Sequence, residues 1–388
     1  MKNKFDTIVL GLGAMGSAAL YQFAKRGNKV LGIDQFSPPH VFGSTHGDTR
    51  VTRQAIGEGE QYTPLSLRSY DIWQEIEEET GRQLLEITGG LIISGGSNVG
   101  INHVENFFEN TISVAKKFNV KHDILDASQI RGRFPQFNVQ DDERGYYEYN
   151  AGYLRPEECV SANLFLAGRY GATIRTNEKV ERFSEKDGIV LVQTSLDDYE
   201  AEKLIVSSGP WFPALIESEY SRFFRILRQV LFWFDVNTHV ERFEPKNFPI
   251  FIWESQGDKQ TIYGFPAIDG KDGGVKVASE QYETSTTAET VDREVSPEEI
   301  KAMYEDLVPP CLPELSGNCI KAVSCIYTVT PDFHFVIDQH PKYPSIILTS
   351  ACSGHGFKHS AAIGEILAEL VLDGESAIDI SSFKLNRF

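Results

Sequence analysis

A strand, a glycine turn, a helix and a second strand fall within residues 5–34, and a strand, glycine turn and long helix close the chain. Between them, residues 216–330 are rich in aromatic and β-branched side chains. These observations predict an α/β fold (α+β overall): a Rossmann-like nucleotide-binding domain with a second, mostly antiparallel-sheet domain. The chain has 388 residues, more than the roughly 250–300 at which one hydrophobic core stops growing. Two domains are therefore expected, with 1–85, 151–215 and 332–388 in the nucleotide domain and 86–150 and 216–331 in the substrate domain.

The elements follow from local pattern. "FDTIVLG" (5–11) is a buried-strand run, and Met15, Ala19 and Phe23 in the next segment share one helical face. "KVLGID" then ends at Asp34, completing a βαβ unit. The stretch "HVFGSTHGDTRVTR" (40–53) is too rich in Gly, Thr and charge for a core and reads as a polar loop. A helix over 62–79, strands near 82–94, a helix over 101–118 and an irregular stretch lead to residue 150. A helix over 157–170 precedes three strand-like runs, over 172–184, 188–195 and 200–211. The final "SIILTSACSGHGFKHSAAIGEILAELVL" most simply rejoins the first sheet.

Composition narrows the function. With 41% hydrophobic and 24% charged residues the chain is an ordinary globular protein. A net charge of −18 argues against nucleic acid or an anionic membrane as partner, since either calls for a basic face. The N-terminal apolar run is short for a signal peptide and no run of about 20 apolar residues follows, so a cytoplasmic protein is expected. Five cysteines without a close CxxC pair give no zinc site or disulfide framework, and no metal is expected.

"GLGAMG" places Gly11, Gly13 and Gly16 at GxGxxG spacing. The first allows a tight turn, the second lets backbone approach a pyrophosphate, and the third lets the helix pack on the strand. Asp34, 18 residues after Gly16, stands where a ribose hydroxyl is gripped. The glycines do not separate NAD from FAD. "LIVSSGPW", with Gly209 and Trp211, and the split of the nucleotide domain favour FAD. A NAD-dependent dehydrogenase and a non-catalytic dinucleotide-binding redox module share the fingerprint.

"KAVSCIYTVTPD" puts Cys325 in a strand with Tyr327 on the same face. Locally the thiol is either a small buried hydrophobe or a sulfur bonded to something. "GHGFK" (354–358) begins the last helix, whose free N–H groups favour negative charge on whatever lies before them.

"GSTHGDTRVTR", "YGFP", "SCIYT" and "CSGHGFK", in this order and together with the N-terminal fingerprint, resemble the monomeric sarcosine oxidase and N-methyltryptophan oxidase family of flavoenzymes, essentially end to end. The resemblance implies FAD bonded covalently to Cys325, with Arg50 and His46 beside the flavin. It implies further cofactor contacts from Ser44, Thr49, Val180, Gly354, His355, Gly356, Phe357 and Lys358. Arg53 and Lys358 would bind the substrate carboxylate, Tyr263 and Tyr327 would line the substrate pocket, and Lys276 would activate dioxygen. The implied reaction, by a monomer, is oxidation of a secondary amino acid to an imine, then aldehyde, amino acid and hydrogen peroxide.

One departure stands out. Glu280 occupies the position where the best-known members carry an active-site histidine, Thr45 also replaces a histidine, and two extra residues separate Tyr263 from Lys276. An ionised glutamate accepts hydrogen bonds but does not donate them. Either Glu280 turns away to pair with a basic neighbour such as Lys276, or it shifts preference from sarcosine towards a larger substrate with a distal donor or cation.

Overall fold

The computed structural model describes residues 3–95, 104–216, 218–237, 239–254 and 261–388. Strands Asn3–Leu10 and Val30–Ile33 are parallel neighbours, with Leu10 opposite Ile33, and helix Ala14–Lys25 connects them. Strand Asp198–Val206 lies on the other side of Asn3–Leu10, also parallel. The C-terminal strand Ile346–Ser350 pairs with it in parallel, so the end of the chain does rejoin the first sheet. An antiparallel hairpin, Val180–Lys186 with Ile189–Thr194, extends this sheet. Helices Ala14–Lys25, Thr63–Thr80, Pro156–Arg169 and Ser360–Leu372 bury Ala19, Phe23, Trp73, Leu166 and Ile366 against its one face.

The second sheet runs from Leu315–Val329 through Arg225–Val236, Val275–Ser279, Ile262–Phe265, Ile250–Glu254, Gly90–Gly95 and Glu143–Glu148 to His122–Asp126. Among the described residues only the pairing of Ile250–Glu254 with Gly90–Gly95 is parallel in it. One face carries an aromatic core of Phe137, Phe248 and Phe251, covered by Met303 and Val308. The other face is set by register. Phe265 and Trp233 each lie directly opposite Lys276, and Gln229 and Leu227 oppose Cys325 and Tyr327. Because side chains alternate along strands, Lys276, Tyr263, Cys325 and Tyr327 all emerge on this second face. A small third sheet joins Arg50–Thr52, Gly152–Leu154 and Leu85–Ile87.

Several local readings change. Residues 297–311, read within a strand-rich stretch, form a helix started by a reciprocal Ser296–Glu299 capping box and a proline in its first turn. The run over 172–184 divides into two strands at Asn177, whose φ is 57°. The helix expected over 101–118 spans Phe107–Lys117, and 101–103 lie outside the described residues. Helix Ser360–Leu372 starts after a separate 3-10 turn, Phe357–His359, so Gly354 and Gly356 precede the helix rather than open it.

The loop over 40–53 is the largest change. His46, Thr49, Thr52 and Arg53 are all buried. Distant partners make that possible: Glu157 accepts from Gly47 N at 2.6 Å, and Ser66 Oγ donates to Arg53 O at 2.5 Å. A polar loop enters a protein interior when its polar groups are bonded there.

Candidate active site

A cavity of about 390 Å³, within the size range of cofactor and ligand sites, lies where the two sheets meet. At one end are Gly11, Gly13, Asp34, Val180, Gly209 and Trp211. Gly11 has φ 84°, and a Cβ on Gly16 would fall 1.7 Å from Gly11 O, so turn and helix fit only with glycine there. Among the described residues no side chain caps helix Ala14–Lys25, so its first N–H groups can meet an anion. Asp34 is fixed by two backbone donors, Leu12 N and Phe36 N, each at 2.8 Å. Further lone pairs remain for a ribose hydroxyl. This end fits a dinucleotide.

At the other end the second sheet supplies the chemistry. Lys276 Nζ donates to Gly47 O at 2.7 Å, Thr49 O at 2.9 Å and Thr49 Oγ1 at 3.1 Å. Three acceptors match the three donors of an ammonium. Phe265 and Trp233 flank it, at 4.5 and 5.2 Å from Nζ to their ring centres. Burial first, then Arg50, lowers its pKa from the usual lysine range, while the charges of Asp48 and Glu157 and the three oxygens on its Nζ hold the proton there. Arg50 donates to Cys325 Sγ at 3.5 Å and to Ser44 O at 3.0 Å. Tyr263 and Tyr327 join hydroxyl to hydroxyl at 3.2 Å. Burial raises Tyr263 to about 12, so it is a neutral phenol. Burial and Arg50 lower His46 to about 4, leaving it uncharged at neutral pH.

Arg53 and Lys358, 2% and 5% exposed, converge on one carboxylate. Glu58 Oε2 lies 2.5 Å from Arg53 Nη2 and its Oε1 3.9 Å from Lys358 Nζ. Lys358 also donates to His355 O at 2.6 Å. Burial lowers Lys358 to about 8, opposed by Glu58. Sequence reading passed over Glu58, which sits in an acidic "GEGE" run with no sign that it folds back onto Arg53.

Glu280 lines the cavity. The expected alternative, a pairing with Lys276, is not what the structure shows: all three Lys276 donors go to the 47–49 backbone and Thr49. Glu280 instead bonds Tyr282, and burial first, then Glu280, holds that phenol well above its ordinary pKa. Of the anticipated residues, Gly16, His46 and Cys325 do not line the cavity, and the others do. Gly16 packs against the glycine turn, and Cys325 lies behind Ser44, with Sγ 3.6 Å from Ser44 O. Thr45, marked above as a departure from the family, lines it too, and Glu58, Ser208 and Cys352 line it without having been anticipated.

A dinucleotide cleft opening directly onto buried cations and phenols defines a nucleotide-dependent redox enzyme. Residues 6–370 match the family described as FAD dependent oxidoreductase, and the chain belongs to that family. It is 41% identical over 389 residues to a monomeric sarcosine oxidase of Streptomyces avermitilis, covering 100% of this chain and 98% of the relative. It is 32% identical to an N-methyl-L-tryptophan oxidase of Salmonella dublin, over 99% of both chains. In fold it is similar to NikD, an amino acid oxidase of nikkomycin biosynthesis, with TM-score 0.84, 22% identity, and 98% and 97% of the two chains covered.

Removing the carboxylate between the two cations tests this geometry. Glu58→Ala should lose about 3 kcal/mol of stability, as expected when a buried ion pair loses one partner. Acetate should then raise the melting temperature of the variant progressively, and that of the wild type little. A variant as stable as the wild type and indifferent to acetate would contradict the arrangement.

Proposed function

We propose that this protein is an FAD-dependent oxidase of secondary amino acids, of the sarcosine or N-methyltryptophan type, holding its FAD covalently through Cys325 and working as a cytoplasmic monomer. The observation that supports it most is the meeting of Arg53 and Lys358 on a carboxylate in the same cavity as the glycine turn and Lys276.

Gly11, Gly13, Asp34, Val180, Gly209 and Trp211 would hold the dinucleotide end of FAD. Ser44, Thr49, Arg50 and the segment Gly354–Lys358 would hold its ring system. Cys325 is buried just outside the cavity lining, and the cationic donor 3.5 Å from its sulfur supplies one feature of a nucleophilic thiol. Bound FAD would supply a two-electron acceptor for the substrate's carbon–hydrogen bond that passes the electrons on to dioxygen.

The protein's part is binding and charge. The substrate carboxylate replaces or joins Glu58 between Arg53 and Lys358, and the Arg53 fork suits its planar shape. Tyr263 and Tyr327, both neutral phenols, offer hydroxyl groups without charge. The apolar rings around Lys276 exclude water, which strengthens the effect of its ammonium on negative charge forming in dioxygen. Water then hydrolyses the imine, giving aldehyde and amino acid, and hydrogen peroxide leaves.

Lys358 makes carboxylate binding depend on pH. It carries its proton below about 8 and loses it above. Affinity for acetate, followed by a spectral shift of the holoenzyme, should therefore fall as pH rises through 8. In Lys358→Met the fall should vanish. A flat wild-type profile over pH 7–9 would contradict this role.

Glu280 bears on substrate choice. Its carboxylate adds negative charge beside a site built for another carboxylate, unless the substrate brings a donor or cation to it. Peroxide release across N-methyl and cyclic amino acids should favour larger secondary amino acids over sarcosine, and Glu280→His should move the ratio of kcat/KM towards sarcosine. No peroxide from any of them would refute the oxidase reading. Efficient wild-type turnover of sarcosine, unchanged in the variant, would refute the role of Glu280.

A further inference from the structure

Just outside the cavity lining lies a buried carboxylate, Glu148, that the scheme above does not use. Glu148 is 1% exposed, at the end of the second-sheet strand Glu143–Glu148. It reaches out of its sheet to the turn that follows Arg53. Its Oε1 accepts from Gln54 N at 2.5 Å, and its Oε2 accepts from Ala55 N at 3.1 Å and Tyr146 OH at 2.9 Å. Burial raises its pKa, and the two N–H groups, Tyr146 and Arg53 oppose that rise. An ionised carboxylate is acceptor-only, which suits three donors.

Arg53 folds back onto this same turn. Its Nη1 donates to Ala55 O at 2.5 Å, on the residue whose N–H Glu148 grips. Ser66 holds the Arg53 carbonyl, and the Phe107 ring centre lies 4.9 Å from the guanidinium carbon. The acceptor that orients one arm of the fork is thus anchored in the other sheet. We propose that Glu148 is a positioning residue that sets the Arg53 fork for the substrate carboxylate, through the 54–55 backbone. The proposal rests on the reading of Arg53 as a carboxylate binder.

Glu148→Gln tests it, because one oxygen becomes an NH2 group that faces an N–H donor and pushes the turn away. In the holoenzyme, the acetate Kd and the KM for an N-methyl amino acid should both rise about tenfold, the scale of one weakened charge-assisted hydrogen bond. The value of kcat should stay within about twofold, and kcat/KM for a secondary amine lacking a carboxylate should not change. Glu148→Asp, which keeps the charge, should recover part of the acetate affinity. If Glu148→Gln does not fold, Tyr146→Phe removes one donor to Oε2 and should show the same split on a smaller scale.

Arg53→Met separates the two ideas. Unchanged acetate affinity in that variant would overturn the carboxylate reading itself. Acetate binding weakened by Arg53→Met but untouched by the Glu148 and Tyr146 variants would overturn the positioning role. Equal losses with and without a substrate carboxylate would overturn it too, leaving Glu148 a purely structural group.

Discussion

Three cations, Arg53, Lys276 and Lys358, are buried where the two sheets meet, and the surrounding structure is shaped by how each is satisfied. An unpaired buried charge costs several kcal/mol or more, so each needs specific partners. Lys276 is met by backbone oxygens of a loop that would otherwise lie on the surface. Arg53 and Lys358 share Glu58. These two solutions differ in a way that matters for function. Backbone carbonyls cannot be exchanged for a ligand, whereas a side-chain carboxylate can be displaced by a ligand of the same chemistry. On the proposed function, Lys276 would thereby stay fixed beside the cofactor, while Arg53 and Lys358 would exchange Glu58 for the substrate carboxylate.

The geometry that brings them together is strand alternation on one side and chain crossover on the other. On the second sheet, antiparallel register aligns Trp233, Phe265 and Lys276 in a row and puts Cys325 and Tyr327 on the same face. The first sheet presents its glycine turns, after Leu10, Val206 and Ser350, at the ends of parallel strands, where nucleotides bind in such sheets. Loop 40–53 fills the seam. It carries Ser44, His46, Thr49, Arg50 and Arg53, and is tied to the rest of the chain through Glu157, Ser66 and Lys276.

What could be read from sequence was mainly what local pattern encodes. The opening βαβ unit, the tight turn at Gly11, the close helix packing at Gly16 and the shared face of Cys325 and Tyr327 depend on spacings of a few residues. The returning C-terminal strand was legible because strand, glycine turn and helix repeat the opening order. Glu58 and Glu148 were not legible, because acidic residues are common and only the fold shows which of them meets Arg53. For the same reason the polarity of loop 40–53 argues against a core position, because its distant partners cannot be seen in the sequence. Helix Pro297–Cys311 was missed although Ser296, Pro297 and Glu299 spell its start, since the aromatic strands around it dominated the reading.

On the proposed function, the sulfur beside Arg50 bonds the flavin. Proteolysis of the holoenzyme with trypsin, followed by mass and absorbance analysis of the peptides, addresses it most directly. The peptide spanning 322–342 should carry the visible flavin absorbance and a mass increased by the cofactor, while the peptides bearing Cys159, Cys311, Cys319 and Cys352 remain unmodified. Flavin released on denaturation, or found on the peptide that contains Cys352, would contradict it.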